Sequence, residues 1–235
     1  MTTQKVNAIN NSEKIDSIIF DLDGTLWDAS KTCTRAWNKA LGEVREGSTE
    51  LNESTIRSLS GLKIEVILKE HFGYIPEHDR DKLFKLYQTY EKELMKASGG
   101  NLFPNVKQVL NMLSEKYRLF IVSNCLTGYI ENFIEFHKLQ NLFVDFESSG
   151  NTGLPKSENI KLVVARNDLK KPIYVGDTIW DYEAAQTANV PFVYAMYGFG
   201  KVNNAYLAIK DIAELDQYIA SISMPMEITK IGSQI

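Results

Sequence analysis

Cysteine is scarce in this sequence, and the net charge is small. Only two cysteines occur among 235 residues, Cys33 and Cys125, and neither has a cysteine or histidine nearby at metal-ligand spacing. This scarcity argues against a disulfide framework and against a zinc site. A cytoplasmic location is therefore expected. The formal net charge of -4 argues against nucleic acid as the main partner.

Long apolar runs are also missing, so no membrane partner is expected. Residues 1–14 are polar and lack the apolar stretch of a signal peptide, and we expect them to form a loose leader. Residues 222–235 show no clear period, which leaves open whether this tail is packed or disordered. The rest of the chain contains no internal repeat or low-complexity segment.

Strand and helix patterns alternate along most of the chain, which is long enough to bury a sizeable core. Five short apolar runs are typical of strands covered on both faces: residues 18–20, 119–122, 142–144, 173–175 and 192–195. Helical patterns lie between and around them, at residues 106–116, 129–139, 159–167 and 180–188. The alternation predicts an α/β fold with a doubly wound parallel sheet.

The segment 29–100 breaks this alternation. It is charged, has no convincing strand and ends in a glycine pair, and its candidate helices lie at residues 33–41, 63–71 and 81–97. We therefore predict a core formed by residues 15–28 and 101–221, with residues 29–100 inserted as a second, helical domain. The insertion follows the first strand, at the end of the sheet where open α/β folds bind ligands.

Aromatic and apolar residues recur at helical spacing inside the inserted segment. Leu83, Tyr87 and Tyr90, together with Phe84, fit one face of a helix. We expect them to pack inside the helical domain rather than to line a substrate pocket.

Two carboxylates follow the first predicted strand. Asp21 and Asp23 stand two residues apart, so strand alternation puts them on the same side before Gly24 turns the chain. Such a pair repels itself unless a cation or a shared proton intervenes, and it is costly to keep without a purpose. The alternative is a solvated turn, where aspartate is common.

Polar residues also end the second predicted strand. Ser123 and Asn124 can both donate a hydrogen bond to a phosphate oxygen, close to where Asp21 emerges. Capping of the following helix is the alternative role. Further along, Lys156 follows a rigid turn at Pro155 and offers a positive charge, although a solvated surface lysine is the more common meaning.

A further pair of acids follows the strand at residues 173–175. Gly176 precedes Asp177, and Asp181 stands four residues after Asp177. Thr178 and Asp181 have the spacing of a capping box, which is a structural alternative for Asp181. Asp177 has no such alternative.

Together these residues predict a Mg²⁺ site for phosphoryl transfer. Asp21 and Asp177, with a backbone carbonyl near Asp23, offer the hard oxygen ligands that suit Mg²⁺. Lys156 adds a positive charge that lets an anionic nucleophile approach an anionic phosphate. Asp21 would attack phosphorus to give an aspartyl-phosphate, while Asp23 protonates the leaving oxygen and later takes a proton from water.

The order of these motifs resembles the haloacid dehalogenase superfamily. Its four motifs are matched over about residues 15–200 by Asp21-Leu-Asp-Gly-Thr-Leu, Ser123, Lys156 and Gly176-Asp177-Thr-x-x-Asp181. Its phosphoglycolate-phosphatase-like branch is further resembled by the pair Ala184-Ala185 after Asp181 and by the segment Tyr197-Gly-Phe-Gly200.

The resemblance implies a Rossmann-like core, a helical cap at residues 29–100 and hydrolysis of a phosphomonoester. It implies catalytic roles for Asp21, Asp23, Ser123 and Lys156. It also implies substrate binding by Thr25 and Asn124, and Mg²⁺ held at Asp21, Asp23, Asp177 and Asp181.

Lys63 is a candidate for substrate specificity. It follows the turn Ser60-Gly61-Leu62, which could close over the phosphate site and let Lys63 meet an anionic group on the non-reacting end of the substrate. The alternative is a solvated lysine that begins a helix.

Other functions on the same motifs stay open. A dehalogenase would not need Asp23, because a halide leaves without protonation. A phosphomutase of the β-phosphoglucomutase type keeps all four motifs, and a phospho-aspartate receiver or binding module also uses clustered acids, a hydroxyl and a lysine. The favoured prediction is a phosphatase of a small phosphorylated metabolite, acting as a monomer or homodimer.

Overall fold

The computed structural model describes residues 14–45, 47, 49–203, 205 and 207–223. The leader predicted over residues 1–14 and the tail predicted over residues 222–235 lie outside these residues, except for residues 14, 222 and 223. No helix in the described part of the chain is long and apolar enough to cross a bilayer.

The strands form one large sheet and one small ribbon. They are β1 Ser17–Phe20, β2 Trp27–Asp28, β3 Asn101–Leu102, β4 Arg118–Ser123, β5 Phe143–Ser148, β6 Pro172–Gly176, β7 Phe192–Ala195 and β8 Ala208–Ile209. The six-stranded sheet has the order β5-β4-β1-β6-β7-β8, and its neighbouring strands are parallel. The predicted α/β class and the parallel sheet are confirmed.

Strand β1 lies at the centre of the sheet, which is covered on both faces. Ile18 and Phe20 are fully buried in one apolar core, and Ile19 is fully buried in a second. This division follows from the alternation of side chains along a strand. Phe20 is in register with Ile121 of β4 and Val175 of β6, so these three strands end at the same edge of the sheet.

Ten α-helices are described around these strands. They are α1 Ser30–Val44, α2 Glu53–Leu59, α3 Ile64–Val66, α4 Glu77–Ser98, α5 Val106–Ser114, α6 Tyr129–His137, α7 Ser149–Thr152, α8 Lys156–Arg166, α9 Ile179–Ala188 and α10 Leu215–Ser223. A π-helical turn, Ile67–His71, continues α3, and a 3₁₀ turn, Ile212–Glu214, precedes α10.

Helices α1 to α4 occupy the segment between the two strands of the ribbon. Strands β2 and β3 pair antiparallel, so the chain leaves for these helices and returns from them at neighbouring positions. Within the segment, the ring of Trp37 on α1 stacks on Tyr87 of α4 with centroids 3.8 Å apart, and Phe72 packs against Trp37 at 4.7 Å. The division into a core and a second domain stays a prediction.

Some elements differ from the sequence-based expectation. Helix α2 was not predicted, although Asn52 marks its start by accepting a hydrogen bond from the backbone of Thr55 at 2.9 Å. Strand β5 extends beyond the predicted residues 142–144 through two acidic positions. The strand can contain Asp145 and Glu147 because Arg166 forms an ion pair with each of them at 2.6 Å. The short strand β8 and helix α10 were also not predicted.

Candidate active site

The first acid of the site extends the ladder of β1. The backbone N–H of Asp21 donates to the carbonyl of Val175 at 2.8 Å, and the Asp21 side chain is almost fully buried. The chain then turns at Gly24, whose φ is 88°. A Cβ at Gly24 would lie 2.2 Å from Asp177 Oδ2, so only glycine lets this turn approach the second acid.

Lys156 is a buried bridge between two carboxylates. At the start of α8, its Nζ donates to Asp21 Oδ1 at 2.7 Å and to Asp181 Oδ1 at 2.6 Å, and its side chain is 3% exposed. Burial alone would lower the pKa of Lys156, but the attraction of Asp181 and Asp21 outweighs it and raises that pKa. The interpretation of Lys156 as a solvated surface lysine is therefore wrong.

Asp177 is held by backbone donors from the loop after β7. The N–H groups of Phe199 and Gly200 donate to Asp177 Oδ2 at 2.7 Å and 3.3 Å, and the Thr25 hydroxyl contacts Oδ1 at 3.4 Å. Burial, followed by repulsion from Asp181 and Asp21, raises the pKa of Asp177 well above its usual range. This environment favours a bound cation, because a cation would relieve the repulsion.

Asp181 has protein partners at both carboxylate oxygens. The capping box is present: Asp181 Oδ2 accepts from the Thr178 backbone N–H at 2.9 Å, and the Thr178 hydroxyl accepts from the Asp181 N–H at 3.3 Å. Oδ1 accepts from Lys156 and from the Tyr174 hydroxyl. Asp181 therefore both caps α9 and positions Lys156.

The charges of this cluster do not balance within the protein. Asp21, Asp177 and Asp181 offer carboxylate oxygens that all lie within 4.8 Å of one another, and the three residues are buried. Lys156 is the cation that pairs with them among the described residues. Three ionised carboxylates and one ammonium leave an excess of two negative charges, which a divalent cation with oxygen ligands, such as Mg²⁺, fits in charge and in chemistry.

Asp23 is not a member of this cluster. Its Oδ1 accepts a hydrogen bond from the Tyr129 hydroxyl at 2.9 Å. Burial, followed by repulsion from Asp21, raises the pKa of Asp23 to about 8, against the opposing effect of the Tyr129 hydrogen bond. For Asp21, burial and repulsion from Asp181 raise the pKa to about 6. The two neighbouring acids are thus in different environments, as an acid–base and a nucleophile require.

Ser123 and Asn124 lie at the end of β4 but do not cap the following helix. Helix α6 begins at Tyr129, and its N-cap residue is Gly128. Instead, Asn124 Nδ2 donates to the carbonyl of Gly61 at 2.8 Å, and Asn124 Oδ1 accepts from Ser149 at 2.7 Å. Asn124 thus ties the strand end to the turn that follows α2.

A cavity opens over Asp21 and Asp23 between the sheet and helices α1 to α4. On the sheet side it is lined by Asp21, Asp23, Ser123, Asn124, Cys125, Leu126 and Tyr129. On the helical side it is lined by Cys33, Trp37, Ile56, Leu59, Ser60, Gly61, Leu62, Ile64, Ile67, Tyr87 and Glu91. The two candidate substrate-binding residues Thr25 and Lys63 are not among these lining residues.

The helical wall of the cavity corrects one expectation. Leu83 is fully buried, as expected of a core residue, but Tyr87 both stacks on Trp37 and faces the cavity. Helical spacing identified the buried face of α4 and could not show that the cavity reaches it. Sequence reasoning also missed Tyr129 and Glu91, because no motif marks them. It singled out Tyr197-Gly-Phe-Gly200 but not the donation from its backbone to Asp177.

Comparison with known proteins identifies relatives of this chain. The sequence pattern of the family described as haloacid dehalogenase-like hydrolase matches residues 18–195. A phosphoglycolate phosphatase of Aliivibrio fischeri is 28% identical over 197 residues, which cover 80% of this chain and 86% of the relative. A phosphoglycolate phosphatase of Aquifex aeolicus is 25% identical over 193 residues, covering 80% and 87%.

Solved structures have the same fold. A protein described as a "predicted phosphatase" from Clostridium acetobutylicum superposes with a TM-score of 0.77 at 22% identity, over 89% of this chain and 100% of that one. A protein described as a "predicted phosphoglycolate phosphatase" from Haemophilus somnus gives 0.77 at 22% identity, over 87% and 98%.

Proposed function

The chain belongs to the haloacid dehalogenase-like hydrolases, and from this premise we propose that it is a Mg²⁺-dependent phosphatase of a small phosphomonoester. The observation that carries the proposal is the buried cluster in which Lys156 joins Asp21 to Asp181 while Asp177 lies beside them. One member of the cluster, Asp21, lines the cavity together with Asp23. The names of the curated relatives support phosphate monoesters as the substrate class.

Asp21 and Asp177 are the residues that would hold Mg²⁺, with Asp181 supporting them through its capping and lysine contacts. The chemistry that a bound Mg²⁺ supplies is stabilisation of the negative charge on the transferring phosphoryl group. The excess of two negative charges in the cluster supports this assignment.

The reaction begins with Asp21. An Asp21 oxygen forms a bond to phosphorus as the bond between phosphorus and the leaving oxygen breaks, and the product is an aspartyl-phosphate. Lys156 reduces the repulsion between the carboxylate and the phosphate, since its Nζ lies 2.7 Å from Asp21 Oδ1.

Asp23 handles the protons of both steps. Burial, followed by repulsion from Asp21, raises the pKa of Asp23, which favours the protonated form that gives its proton to the leaving oxygen. Asp23 then takes a proton from the water that attacks phosphorus, and this second step releases inorganic phosphate and frees Asp21. The Tyr129 hydroxyl holds the Asp23 carboxyl in a fixed orientation for these transfers.

Ser123 and Asn124 are proposed to contact the phosphate oxygens, and both line the cavity beside Asp21. Thr25 contacts Asp177 through its hydroxyl and is therefore proposed to act through that residue. Helices α1 to α4 are proposed to form the cap of the site. Their turn at Gly61 accepts a hydrogen bond from Asn124, which joins the cap to the strand ends.

A panel of phosphorylated metabolites and para-nitrophenyl phosphate tests the proposal. The purified chain should release inorganic phosphate in the presence of Mg²⁺, and EDTA should abolish that release. Transfer of the phosphate to a second position of the same hexose, without free phosphate, would instead support a phosphomutase. A stable phosphoprotein without turnover would support a receiver module.

A further inference from the structure

One buried carboxylate in the cavity has no role in the proposed reaction. Glu91 lies on α4, and its exposed fraction is 6%. The Tyr87 hydroxyl donates to Glu91 Oε1 at 2.5 Å, and both residues line the cavity that contains Asp21 and Asp23. Burial raises the pKa of Glu91 to about 7, and the hydrogen bond from Tyr87 opposes the rise.

Glu91 has no counter-charge in the described part of the chain. No lysine, arginine or histidine nitrogen of these residues lies within 4.0 Å of its carboxylate. A carboxylate buried without a cation is costly, and apolar residues of similar size would fill a helix–helix contact better. The position of Glu91 is therefore better explained by something that binds in the cavity.

The charge of the cavity wall limits what that ligand can be. Among the described residues that line the cavity, the carboxylic acids are Asp21, Asp23 and Glu91. No lysine, arginine or histidine is among these lining residues. Lys156 is engaged by Asp21 and Asp181 at the phosphate end. A carboxylate on the non-reacting end of the substrate would meet Glu91 with no cation from the wall beside it.

The aromatic residues of the cavity wall favour a ligand group that donates a hydrogen bond and carries a full or partial positive charge. Trp37, Tyr87 and Tyr129 line the cavity with Glu91, and the quadrupoles of aromatic rings attract ammonium groups. An ammonium or hydroxyl group would donate to the Glu91 carboxylate and satisfy its buried charge.

We propose that Glu91 selects phosphomonoesters whose non-reacting end carries a hydrogen-bond donor, an ammonium or a hydroxyl group, over those that carry a carboxylate there. The inference rests on the proposed function and names the substrate class of the same site. Glu91 contacts the leaving group and takes no part in the transfer of the phosphoryl group.

Three substrates that differ mainly in one terminal group test the proposal: phosphoethanolamine with an ammonium, ethylene glycol monophosphate with a hydroxyl, and 2-phosphoglycolate with a carboxylate. With Mg²⁺, kcat/KM for at least one of the first two should exceed that for 2-phosphoglycolate by about tenfold or more, because the carboxylate leaves Glu91 without a donor. The ammonium and hydroxyl substrates differ in charge, so their ratio tells which donor the site prefers.

Substitution of Glu91 makes the test specific to this residue. Glu91→Gln should reduce the preference for phosphoethanolamine over 2-phosphoglycolate about tenfold, and Glu91→Ala should do the same for the hydroxyl substrate. The matched control is Glu93→Gln, since Glu93 is exposed on the same helix and its substitution should leave all three values unchanged. A thermal melt checks that each variant is folded, and the wild-type ratios stand without any variant.

Two results would overturn the proposal. The first is an equal or higher kcat/KM for 2-phosphoglycolate in the wild-type protein, which would restore the hypothesis that Lys63 recognises an anionic end. The second is an unchanged ratio in the folded Glu91 variants. If even para-nitrophenyl phosphate is not hydrolysed, the proposed function itself fails, and the inference fails with it.

Discussion

The buried cluster at the strand ends of the sheet and the helical wall of the cavity use acidic residues in opposite ways. On the sheet side, Asp21 and Asp181 share the ammonium of Lys156, and Asp177 receives backbone donors. On the helical side, the one hydrogen-bond partner of Glu91 among the described residues is the neutral hydroxyl of Tyr87. The contacts of the sheet side are thus made within the protein, whereas in our proposal the helical side is completed by a group that the substrate brings. The first arrangement suits chemistry that is common to a family, and the second suits specificity.

The largest effect is expected from the sheet side. Asp21→Asn removes the nucleophile, so turnover of every substrate should fall by about a thousandfold or more. The measurement is release of inorganic phosphate from para-nitrophenyl phosphate with Mg²⁺. Asp168→Asn is the matched control, because Asp168 is highly exposed and asparagine tolerates its left-handed backbone. Similar losses in the two variants would argue against a specific role for Asp21.

The next effect depends on the leaving group. Asp23→Asn should lower kcat/KM for alkyl phosphates by about a hundredfold or more, because an alkoxide needs a proton to leave. The loss should be much smaller for para-nitrophenyl phosphate, whose leaving group needs little protonation. Equal losses on both kinds of substrate would remove the acid role of Asp23.

A smaller effect is expected from the residue that supports the cluster. Asp181→Asn weakens the pairing with Lys156 and should reduce activity at a fixed Mg²⁺ concentration by about 10- to 100-fold.

Asp177→Ala should weaken Mg²⁺ activation more severely, since Asp177 has no capping role. Mg²⁺ titrations of the two variants check this order. Unchanged Mg²⁺ dependence in Asp177→Ala would contradict its assignment as a ligand.

The effect with the least consequence for activity concerns the stability of the helical side. The folded pKa of Glu91 is about 7 and its ordinary value is 4.5, so the folded state binds more protons than the unfolded state between these values. The stability that the protonation of Glu91 gives to the folded state is therefore complete at pH values below the ordinary pKa. It is lost as the pH rises through about 7. Its upper limit is about 3 kcal/mol by linkage.

Glu91→Gln keeps the neutral form at every pH and should flatten this part of the pH dependence. Between pH ~5 and ~8, the free energy of unfolding should fall less in Glu91→Gln than in the wild type, as measured by urea denaturation without Mg²⁺. The Glu93→Gln control should follow the wild type. Parallel curves for Glu91→Gln and the wild type would show that the pKa of Glu91 is not raised by folding.

The sequence predicted the sheet side more fully than the helical side, for physical reasons. Parallel strands end at one edge of a sheet, so apolar runs followed by Asp21, Ser123 and Asp177 indicate that these three side chains share a location. The closeness of the Asp21 and Asp177 carboxylates, and the cavity that Asp21 and Ser123 both line, agree with that expectation. The roles of these residues in the reaction stay predictions.

The helical side could not be predicted in the same way. Glu91 stands in a charged helix four residues after Tyr87, and such a glutamate ordinarily belongs to a solvated face. Its burial depends on how α4 packs against α1, which is a tertiary property. The segment Tyr197-Gly-Phe-Gly200 stands out in the sequence, but its pattern does not show that the backbone N–H groups of Phe199 and Gly200 donate to Asp177.

The proposed mechanism depends above all on Asp21, which carries the phosphoryl group during turnover. The most direct measurement is mass spectrometry of the Asp23→Asn variant, quenched in acid during the hydrolysis of para-nitrophenyl phosphate with Mg²⁺. This variant should still be phosphorylated by a substrate with a good leaving group, but it should activate water slowly, so the intermediate accumulates. We expect phosphate on the peptide that contains Asp21. Phosphate on another residue, or continued turnover with no phosphate on that peptide, would contradict the mechanism.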